Sequence, residues 1–120
     1  MASVLVVDDA AFMRMRIKQM LEASGHTMVG EAMDGVEAIE KFAELKPDVV
    51  ILDITMPGMD GIEALKRIKV LNKDAKIIIC SAMGYQELIA KAIEQGAKEF
   101  IVKPFKEEQL MAAIDKVVGK

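Results

Sequence analysis

Five short apolar runs, spaced along the chain and rich in β-branched residues, constrain the fold more than any other feature of this sequence. They cover residues 4–7, 27–30, 49–52, 77–80 and 100–102. Runs of this length and composition indicate β-strands. Four of them carry no polar residue, which is typical of parallel strands covered by helices on both faces. The second run, residues 27–30, is less uniform and is a candidate edge strand.

Segments with apolar residues at helical spacing separate and follow these runs. The apolar stripes lie within residues 13–21, 38–45, 62–71, 88–93 and 110–117. Each stripe has charged residues on its opposite side, which predicts five amphipathic helices that face a common core. Gly25, Gly96 and the pair Lys46-Pro47 mark helix ends, and Asp34 is placed to cap the helix that follows it.

The alternation of strands and helices predicts an α/β fold built from five βα units. Connections between parallel strands are almost always right-handed, so such units form an open, doubly wound sheet with helices on both faces. With 120 residues, of which 52% are hydrophobic, the chain has the material for one domain, residues 1–120. A (β/α)₈ barrel or a second core needs more chain than this.

Charge and composition exclude several classes of function. Sixteen basic and nineteen acidic residues give a net charge of −3, so we expect no nucleic-acid partner and no membrane surface as partner. No apolar stretch approaches the roughly 18 residues of a membrane span, and the chain start has no signal-peptide pattern. We therefore expect a soluble, cytoplasmic protein. The one cysteine, Cys80, is expected to be a buried, free thiol.

Polar residues follow four of the five predicted strands at the point where each strand ends. Asp8 and Asp9 follow the first strand, Asp53 the third, Ser81 the fourth and Lys103 the fifth. Ligands bind at the carboxyl ends of the strands in open parallel sheets. We therefore expect three carboxylates, a hydroxyl and an ammonium to converge at one edge of the sheet.

Each of these residues also has a purely structural interpretation. Asp8 or Asp9 could cap the next helix, Asp53 could begin a turn toward Pro57, and Ser81 could cap a helix. Lys103 could be an ordinary exposed lysine. The functional interpretation is favoured because all of them occupy matching strand ends.

Three carboxylates at neighbouring strand ends repel one another, so the site requires a cation. Carboxylate oxygens are hard ligands, and two or three of them leave positions open to water or to phosphate oxygens, which fits Mg²⁺ best and allows Mn²⁺. Zinc is not indicated, because there is one cysteine and one histidine. The histidine, His26, stands in a Gly25-His26-Thr27 turn, where we expect it to face solvent.

An ionised Asp53 could attack a phosphoryl group in line without a general base. Lys103 and the Ser81 hydroxyl would then contact phosphoryl oxygens. The loop after the first strand lacks the glycines of a dinucleotide-binding or P-loop motif. A phosphatase of the haloacid dehalogenase type places its nucleophile in an Asp-x-Asp pattern on the first strand, and the residue two after Asp8 is Ala10.

Four stretches carry a resemblance to a known family. They are residues 6–14 (VVDDAAFMR), 52–61 (LDITMPGMDG), 80–84 (CSAMG) and 100–105 (FIVKPF). In this order they resemble a response-regulator receiver domain, and over the whole length the chain is similar to the single-domain regulators of bacterial chemotaxis. The resemblance implies a flavodoxin-like sheet with strand order 2-1-3-4-5.

The resemblance also implies roles for individual residues. Asp53 would accept a phosphoryl group from a phosphohistidine of a sensor histidine kinase. Asp9, Asp53 and the backbone carbonyl of Thr55 would hold Mg²⁺, with Asp8 acting mainly through a bound water. Ser81 and Lys103 would contact the phosphoryl group, and the Lys103-Pro104 peptide bond would be cis.

Further positions follow from the same resemblance. Ser81 and Phe100 would form the switch, in which the hydroxyl moves to the phosphoryl group and the aromatic ring turns inward. Phe100 is tyrosine in much of the family, so the phenolic hydroxyl is absent and we expect a bias toward the inward state. Thr55 and Met83 flank the acceptor and would tune the lifetime of the phosphorylated form.

The function hypothesis is a signalling protein that catalyses its own phosphorylation and dephosphorylation, and is no metabolic enzyme. Its partners would be a chemotaxis-type kinase, a flagellar switch protein and a phosphatase, and we expect a monomer. The alternatives are a phosphate sink or phosphorelay intermediate that does not bind the motor, and a binding scaffold of the same fold that is not phosphorylated.

Overall fold

A computed structural model describes residues 1–119 of the chain as five strands alternating with five helices. The strands are β1 (Ser3–Val7), β2 (Thr27–Ala32), β3 (Val49–Asp53), β4 (Ile77–Ser81) and β5 (Glu99–Val102). The helices are α1 (Ala11–Ala23), α2 (Gly35–Leu45), α3 (Gly61–Leu71), α4 (Gln86–Glu94) and α5 (Glu107–Val117). The predicted alternation is confirmed, with each strand extended by one or two residues beyond the apolar run that predicts it.

All four strand pairings are parallel, and the sheet has the order β2-β1-β3-β4-β5. This is the flavodoxin-like order that the resemblance implies, and it is confirmed. The order reverses at β1, which has β2 on one side and β3 on the other. The carboxyl ends of β1 and β3 are therefore neighbours at the point where the crossovers diverge to opposite faces.

Two apolar layers cover the two faces of the sheet. Alternate strand residues point to opposite faces, so Leu5 and Val7 join the layer formed with α2, α3 and α4. Val4 and Val6 join the layer formed with α1 and α5. Strands β3 and β4 are buried at every position, which explains their uninterrupted apolar sequence.

Strand β2 lies at one edge of the sheet, as its mixed sequence suggests. Its first five residues alternate between exposed and half-buried positions, and the last, Ala32, is buried. The register with β1 shifts between Val4 and Leu5, whose partners are Met28 and Gly30. A β-carbon at Gly30 would lie 2.4 Å from Leu45 Cδ1, so the absence of a side chain allows α2 to pack closely on this edge.

The predicted helix boundaries correspond to observed caps. The Asp34 carboxylate accepts a hydrogen bond from the backbone N–H of Glu37 at 2.8 Å, as expected for a helix cap. Gly25 and Gly96 adopt positive φ after α1 and α4. No helix among residues 1–119 is both long enough and apolar enough to cross a membrane.

The prediction that His26 faces solvent is wrong. The residue is 9% exposed, and its Nδ1 accepts a hydrogen bond from the backbone N–H of Ala2 at 3.0 Å. The backbone N–H of Thr27 also donates to the Ala2 carbonyl at 3.0 Å. His26 is buried because β2 begins beside the start of β1, and its ring supplies the acceptor that the buried Ala2 amide needs.

We expect His26→Leu to destabilise the protein, because it leaves the Ala2 amide buried without an acceptor. The expected loss is about 1–3 kcal/mol in the free energy of unfolding, measured by urea denaturation followed by circular dichroism. His26→Asn is the matched control, since an amide oxygen can occupy the position of Nδ1, and it should lose less. Equal losses for both variants would contradict the assigned role of Nδ1.

Candidate functional site

Three carboxylates converge at the carboxyl edge of the sheet, beside the strand-order reversal. Asp8 follows β1, Asp53 ends β3, and the pairing of Val7 with Leu52 brings these two strand ends side by side. One carboxylate oxygen from each of Asp8, Asp9 and Asp53 lies within 4.8 Å of the others. Asp8 and Asp53 are 2% and 5% exposed, whereas Asp9 is open to solvent.

Burial raises the pKa of Asp53 from its ordinary value of 3.8 to about 6. The Lys103 ammonium opposes this rise, the neighbouring Asp8 carboxylate adds to it, and a hydrogen bond from the Thr55 backbone lowers the pKa again. Desolvation wins because the carboxylate is removed from water while like charges lie nearby. Ionised Asp53 is therefore a high-energy group in the protein alone.

Lys103 supplies the positive charge of the site from the end of β5. Its Nζ donates a hydrogen bond to Asp8 Oδ2 at 2.7 Å and lies 3.7 Å from Asp53 Oδ1. Burial alone would lower the pKa of Lys103, but the hydrogen bond to Asp8 and the charges of both carboxylates raise it above its ordinary value. Lys103 is thus a cation that lies between Asp8 at the end of β1 and Asp53 at the end of β3.

The helix-capping interpretations of Asp8, Asp9 and Ser81 are not observed. The N-cap of α1 is Ala10, without a side-chain cap, and that of α4 is Tyr85. Ser81 is fully buried, and its Oγ accepts a hydrogen bond from the Met83 N–H at 3.1 Å instead of capping a helix. Asp8, Asp9 and Ser81 therefore stand at the carboxyl ends of their strands without capping the helix that follows.

Thr55 and Met83 lie on the exposed loops that flank Asp53 and Ser81. Met83 lines a groove between α3 and α4 together with Ile54. Both side chains are therefore open to solvent on the loops that follow β3 and β4, which are the loops in which the resemblance places tuning residues.

Phe100 is half-buried on β5 and packs against the apolar layer of α2, α3 and α4. The next exposed strand residue, Val102, covers Gly84, where a β-carbon would lie 2.4 Å from Val102 Cγ2. The loop that follows Ser81 is therefore packed directly against β5. The Lys103-Pro104 peptide bond between β5 and α5 is cis, as the resemblance implies.

The acidic cluster has the donor set of a Mg²⁺ site. Carboxylate oxygens are the protein ligands that Mg²⁺ prefers, and the ion keeps several waters, for which exposed Asp9 leaves an open side. The Thr55 carbonyl belongs to the loop directly after Asp53. Cys80, the one free thiol, is buried, and burial raises its pKa to about 12, so it is no ligand at neutral pH.

Two further residues, Gly61 and Arg14, contact the site although the sequence patterns did not identify them. Gly61 begins α3, its N–H donates to the Ile54 carbonyl at 2.8 Å, and a β-carbon there would lie 2.2 Å from the Asp53 carbonyl oxygen. Arg14 in α1 donates to the Asp8 carbonyl. A signal for Arg14 exists in the sequence, because a basic residue close to a helix start opposes the helix dipole.

Comparison with known proteins gives a consistent likeness over nearly the whole chain. Residues 4–115 match the family described as "Response regulator receiver domain". The chain is 54% identical over 114 residues to "Chemotaxis protein CheY" of Thermotoga maritima, which covers 95% of both chains. It is 48% identical over 119 residues to "Protein CcdB" of Bacillus subtilis, which covers 99% of both.

A solved structure gives the same likeness in three dimensions. A chain of the CheX-CheY-BeF₃-Mg²⁺ complex from Borrelia burgdorferi superposes with a TM-score of 0.95 and 38% identity, covering 98% of this chain and 90% of that one. The agreement includes the whole sheet and all five helices, since so little of either chain lies outside the superposition.

We expect Asp53→Asn to stabilise the metal-free protein at pH 7. The folded-state pKa of Asp53 is about 6, above the ordinary 3.8, so the contribution of this group to stability is fully present below pH 4 and is lost as pH rises through 6. An uncharged amide avoids this loss, with a gain of roughly 1–3 kcal/mol at pH 7 that vanishes near pH 4.

The measurement is urea denaturation in the presence of a chelator at both pH values. Asp115→Asn, which alters an exposed aspartate of α5, is the matched control and should change little at either pH. An Asp53→Asn variant that is no more stable than wild type at pH 7 would contradict the assigned strain.

Proposed function

The chain belongs to the response regulator receiver domain family, and from this premise we propose that it is a phosphorylation-dependent switch whose acceptor is Asp53. Receiver domains bind Mg²⁺ at an acidic pocket, and the chain has such a pocket in Asp8, Asp9 and Asp53. The observation that carries the proposal is the convergence of these carboxylates with Lys103 at one sheet edge. Residues 1–120 would act as a single receiver domain, a signalling protein and no metabolic enzyme.

Asp53 would act as the nucleophile. With a pKa of about 6, it is mostly ionised at pH 7 and needs no general base. One of its oxygens would attack the phosphorus of a phosphohistidine, the P–N bond would break, and the histidine nitrogen would leave with a proton. The product is an acyl phosphate on Asp53, and attack of water on its phosphorus would return the carboxylate and inorganic phosphate.

Mg²⁺, or Mn²⁺ in its place, would be held by Asp9, Asp53 and the Thr55 carbonyl, with Asp8 acting through water, and would offset negative charge on the carboxylates and phosphoryl oxygens. Lys103 already lies 3.7 Å from Asp53 Oδ1, so its ammonium can neutralise a phosphoryl oxygen on the other side. The similar Borrelia burgdorferi chain was solved in a complex with Mg²⁺ and BeF₃, which supports a site of this chemistry.

The switch would connect Asp53 to β5. Ser81 is buried at the end of β4 and its hydroxyl would move to the phosphoryl group. The loop that would have to move is packed through Gly84 against Val102, which supports a coupled shift of Phe100, two residues earlier on β5. The half-buried position of Phe100 fits a ring biased toward the interior.

The output would be a change of affinity for a protein partner in bacterial chemotaxis. The T. maritima relative carries the name of a chemotaxis protein, which supports a chemotaxis-type sensor kinase as donor and a flagellar switch protein as target. The CheX-containing complex supports a phosphatase partner of that kind. A monomeric, cytoplasmic state completes the proposal.

A second output is a phosphate sink or relay intermediate that does not bind the motor. The B. subtilis relative with another name is 48% identical over 99% of the chain, so the likeness is not confined to proteins named for chemotaxis. Binding of the phosphorylated form to a flagellar switch protein separates the two outputs, because a sink exchanges phosphate with the kinase alone.

We expect acetyl phosphate with Mg²⁺ to add one phosphoryl group to the protein, detected by intact mass. The adduct should disappear with Asp53→Asn or with a chelator, and should persist with Asp115→Asn, which changes an exposed aspartate away from the cluster. An adduct that survives in Asp53→Asn would refute Asp53 as the acceptor. No adduct in the wild type would favour the unphosphorylated scaffold.

We expect substitutions at Thr55 and Met83 to change the lifetime of the acyl phosphate several-fold while the yield of phosphorylation changes little. Both side chains are exposed on the loops around the acceptor, where they control access of water to the phosphorus. The decay of the phosphorylated mass is measured after removal of acetyl phosphate. Val70→Ala, at an exposed position near the end of α3, is the control, and unchanged lifetimes at both loop positions would defeat the proposal.

A further inference from the structure

Helix α1 begins against the usual electrostatic preference. It has no acidic residue in its first turn and no side-chain cap, and its fourth residue is Arg14. A cation near a helix N-terminus faces the positive end of the helix dipole, which is locally unfavourable. A local conflict of this kind indicates that tertiary contacts hold the residue in place.

The contacts of Arg14 join three elements. Its Nη1 donates to the Asp8 carbonyl oxygen at 2.6 Å, and its Nε donates to Glu31 Oε1 of β2 at 2.6 Å. The Arg14 side chain is 15% exposed, whereas the Glu31 side chain is 52% exposed. The guanidinium therefore lies largely inside the junction of β1, β2 and α1, with Glu31 closing it from the solvent side.

Arg14 completes a set of four hydrogen bonds around Asp8. The backbone N–H of Asp8 donates to the Ala32 carbonyl at 3.0 Å. Its Oδ1 accepts from the Ala10 N–H at 2.9 Å, and its Oδ2 accepts from Lys103 Nζ at 2.7 Å. The carbonyl is the remaining polar group, and Arg14 is the side chain that binds it.

The Asp8 carbonyl belongs to the peptide group that links Asp8 to Asp9. Because a peptide group is planar, fixing its oxygen also fixes the direction in which the chain enters Asp9. Asp9 is exposed, and no hydrogen bond described within residues 1–119 holds its carboxylate. The orientation of its backbone is therefore what directs that carboxylate toward Asp53.

We propose that Arg14, anchored by Glu31, is a positioning residue that fixes the Asp8-Asp9 peptide group and so holds both carboxylates in the acidic cluster. This inference deepens the proposed function and rests on it for the cation concerned. Charge alone predicts the opposite effect, because a guanidinium repels a bound cation. The sign of the change in Mg²⁺ affinity thus separates positioning from simple charge compensation.

The first test measures Mg²⁺ binding by calorimetry. Loss of a group that orients a metal ligand commonly costs 10–100-fold in affinity, so Arg14→Gln should weaken Mg²⁺ binding about 10-fold. Arg14→Lys should weaken it too, since an ammonium keeps the charge but lacks the planar fork that reaches two acceptors. Arg16→Gln, an exposed arginine of the same helix, removes the same charge and should not weaken it.

Glu31 should act only through Arg14. Adding Glu31→Ala to Arg14→Gln should therefore produce no further loss of Mg²⁺ affinity, although Glu31→Ala alone weakens binding. Unchanged or tighter Mg²⁺ binding by Arg14→Gln would overturn the inference, as would full restoration by Arg14→Lys.

Hydrogen exchange of the metal-free protein separates this inference from the proposed function. The Asp8 and Ala10 amides should exchange faster in Arg14→Gln than in the wild type or Arg16→Gln, because the loop after β1 loses its anchor. Unchanged exchange would overturn the positioning role. A wild-type protein that binds no Mg²⁺ would refute the proposed function, while faster exchange in Arg14→Gln would still support the role of Arg14 in holding the loop.

Discussion

The site depends on the ion pair between Lys103 and Asp8, which joins the ends of β5 and β1 across the sheet edge. Two nearly buried carboxylates and a third exposed one lie within 4.8 Å, and their mutual repulsion is little screened at this depth. Lys103 offsets part of it through its 2.7 Å bond to Asp8. Burial, with a smaller part from the Asp8 carboxylate, still raises the pKa of Asp53 although the Lys103 ammonium lies nearby. The fold thus keeps Asp53 in a state that additional positive charge would relieve.

The sheet makes this arrangement rigid. Parallel strands in the order β2-β1-β3-β4-β5 bring all five carboxyl ends to one edge, and four of these ends carry the site residues. Two apolar layers hold the strands from both sides. The charged groups therefore cannot separate without breaking buried packing. Because a close-packed core tolerates little rearrangement, the repulsion among the carboxylates cannot be relieved by a local movement of the strand ends.

Much of the fold could be predicted because its determinants are local. Runs such as residues 49–52 and 77–80 are apolar at every position, which only a doubly covered parallel strand explains well. The convergence of polar residues at the sheet edge could also be predicted, because the residues that directly follow parallel strands lie at the same edge of the sheet. Helix boundaries could be predicted from single residues, because Asp34 caps α2 with its side chain and Gly96 adopts a positive φ after α4.

What the sequence did not reveal depends on contacts between distant segments. His26 lies in a stretch with turn character, and its burial follows from the amide of Ala2, which is 24 residues away along the chain. The ion pair between Arg14 and Glu31 joins α1 to β2, and the hydrophobic periodicity of the sequence does not predict it. The sequence also did not show which carboxylate Lys103 pairs with. In the structure its nearest acceptor is Asp8, and Asp53 lies farther away.

The bare backbone at Gly61 has a mechanical consequence. Gly61, the first residue of α3, has no side chain to separate it from the Asp53 carbonyl, and its N–H donates a hydrogen bond to the carbonyl of Ile54. A displacement of the chain at residue 53 would therefore act directly on the start of α3. If α3 followed such a displacement as a rigid body, a local change at Asp53 would reach the whole face of the protein on which this helix lies.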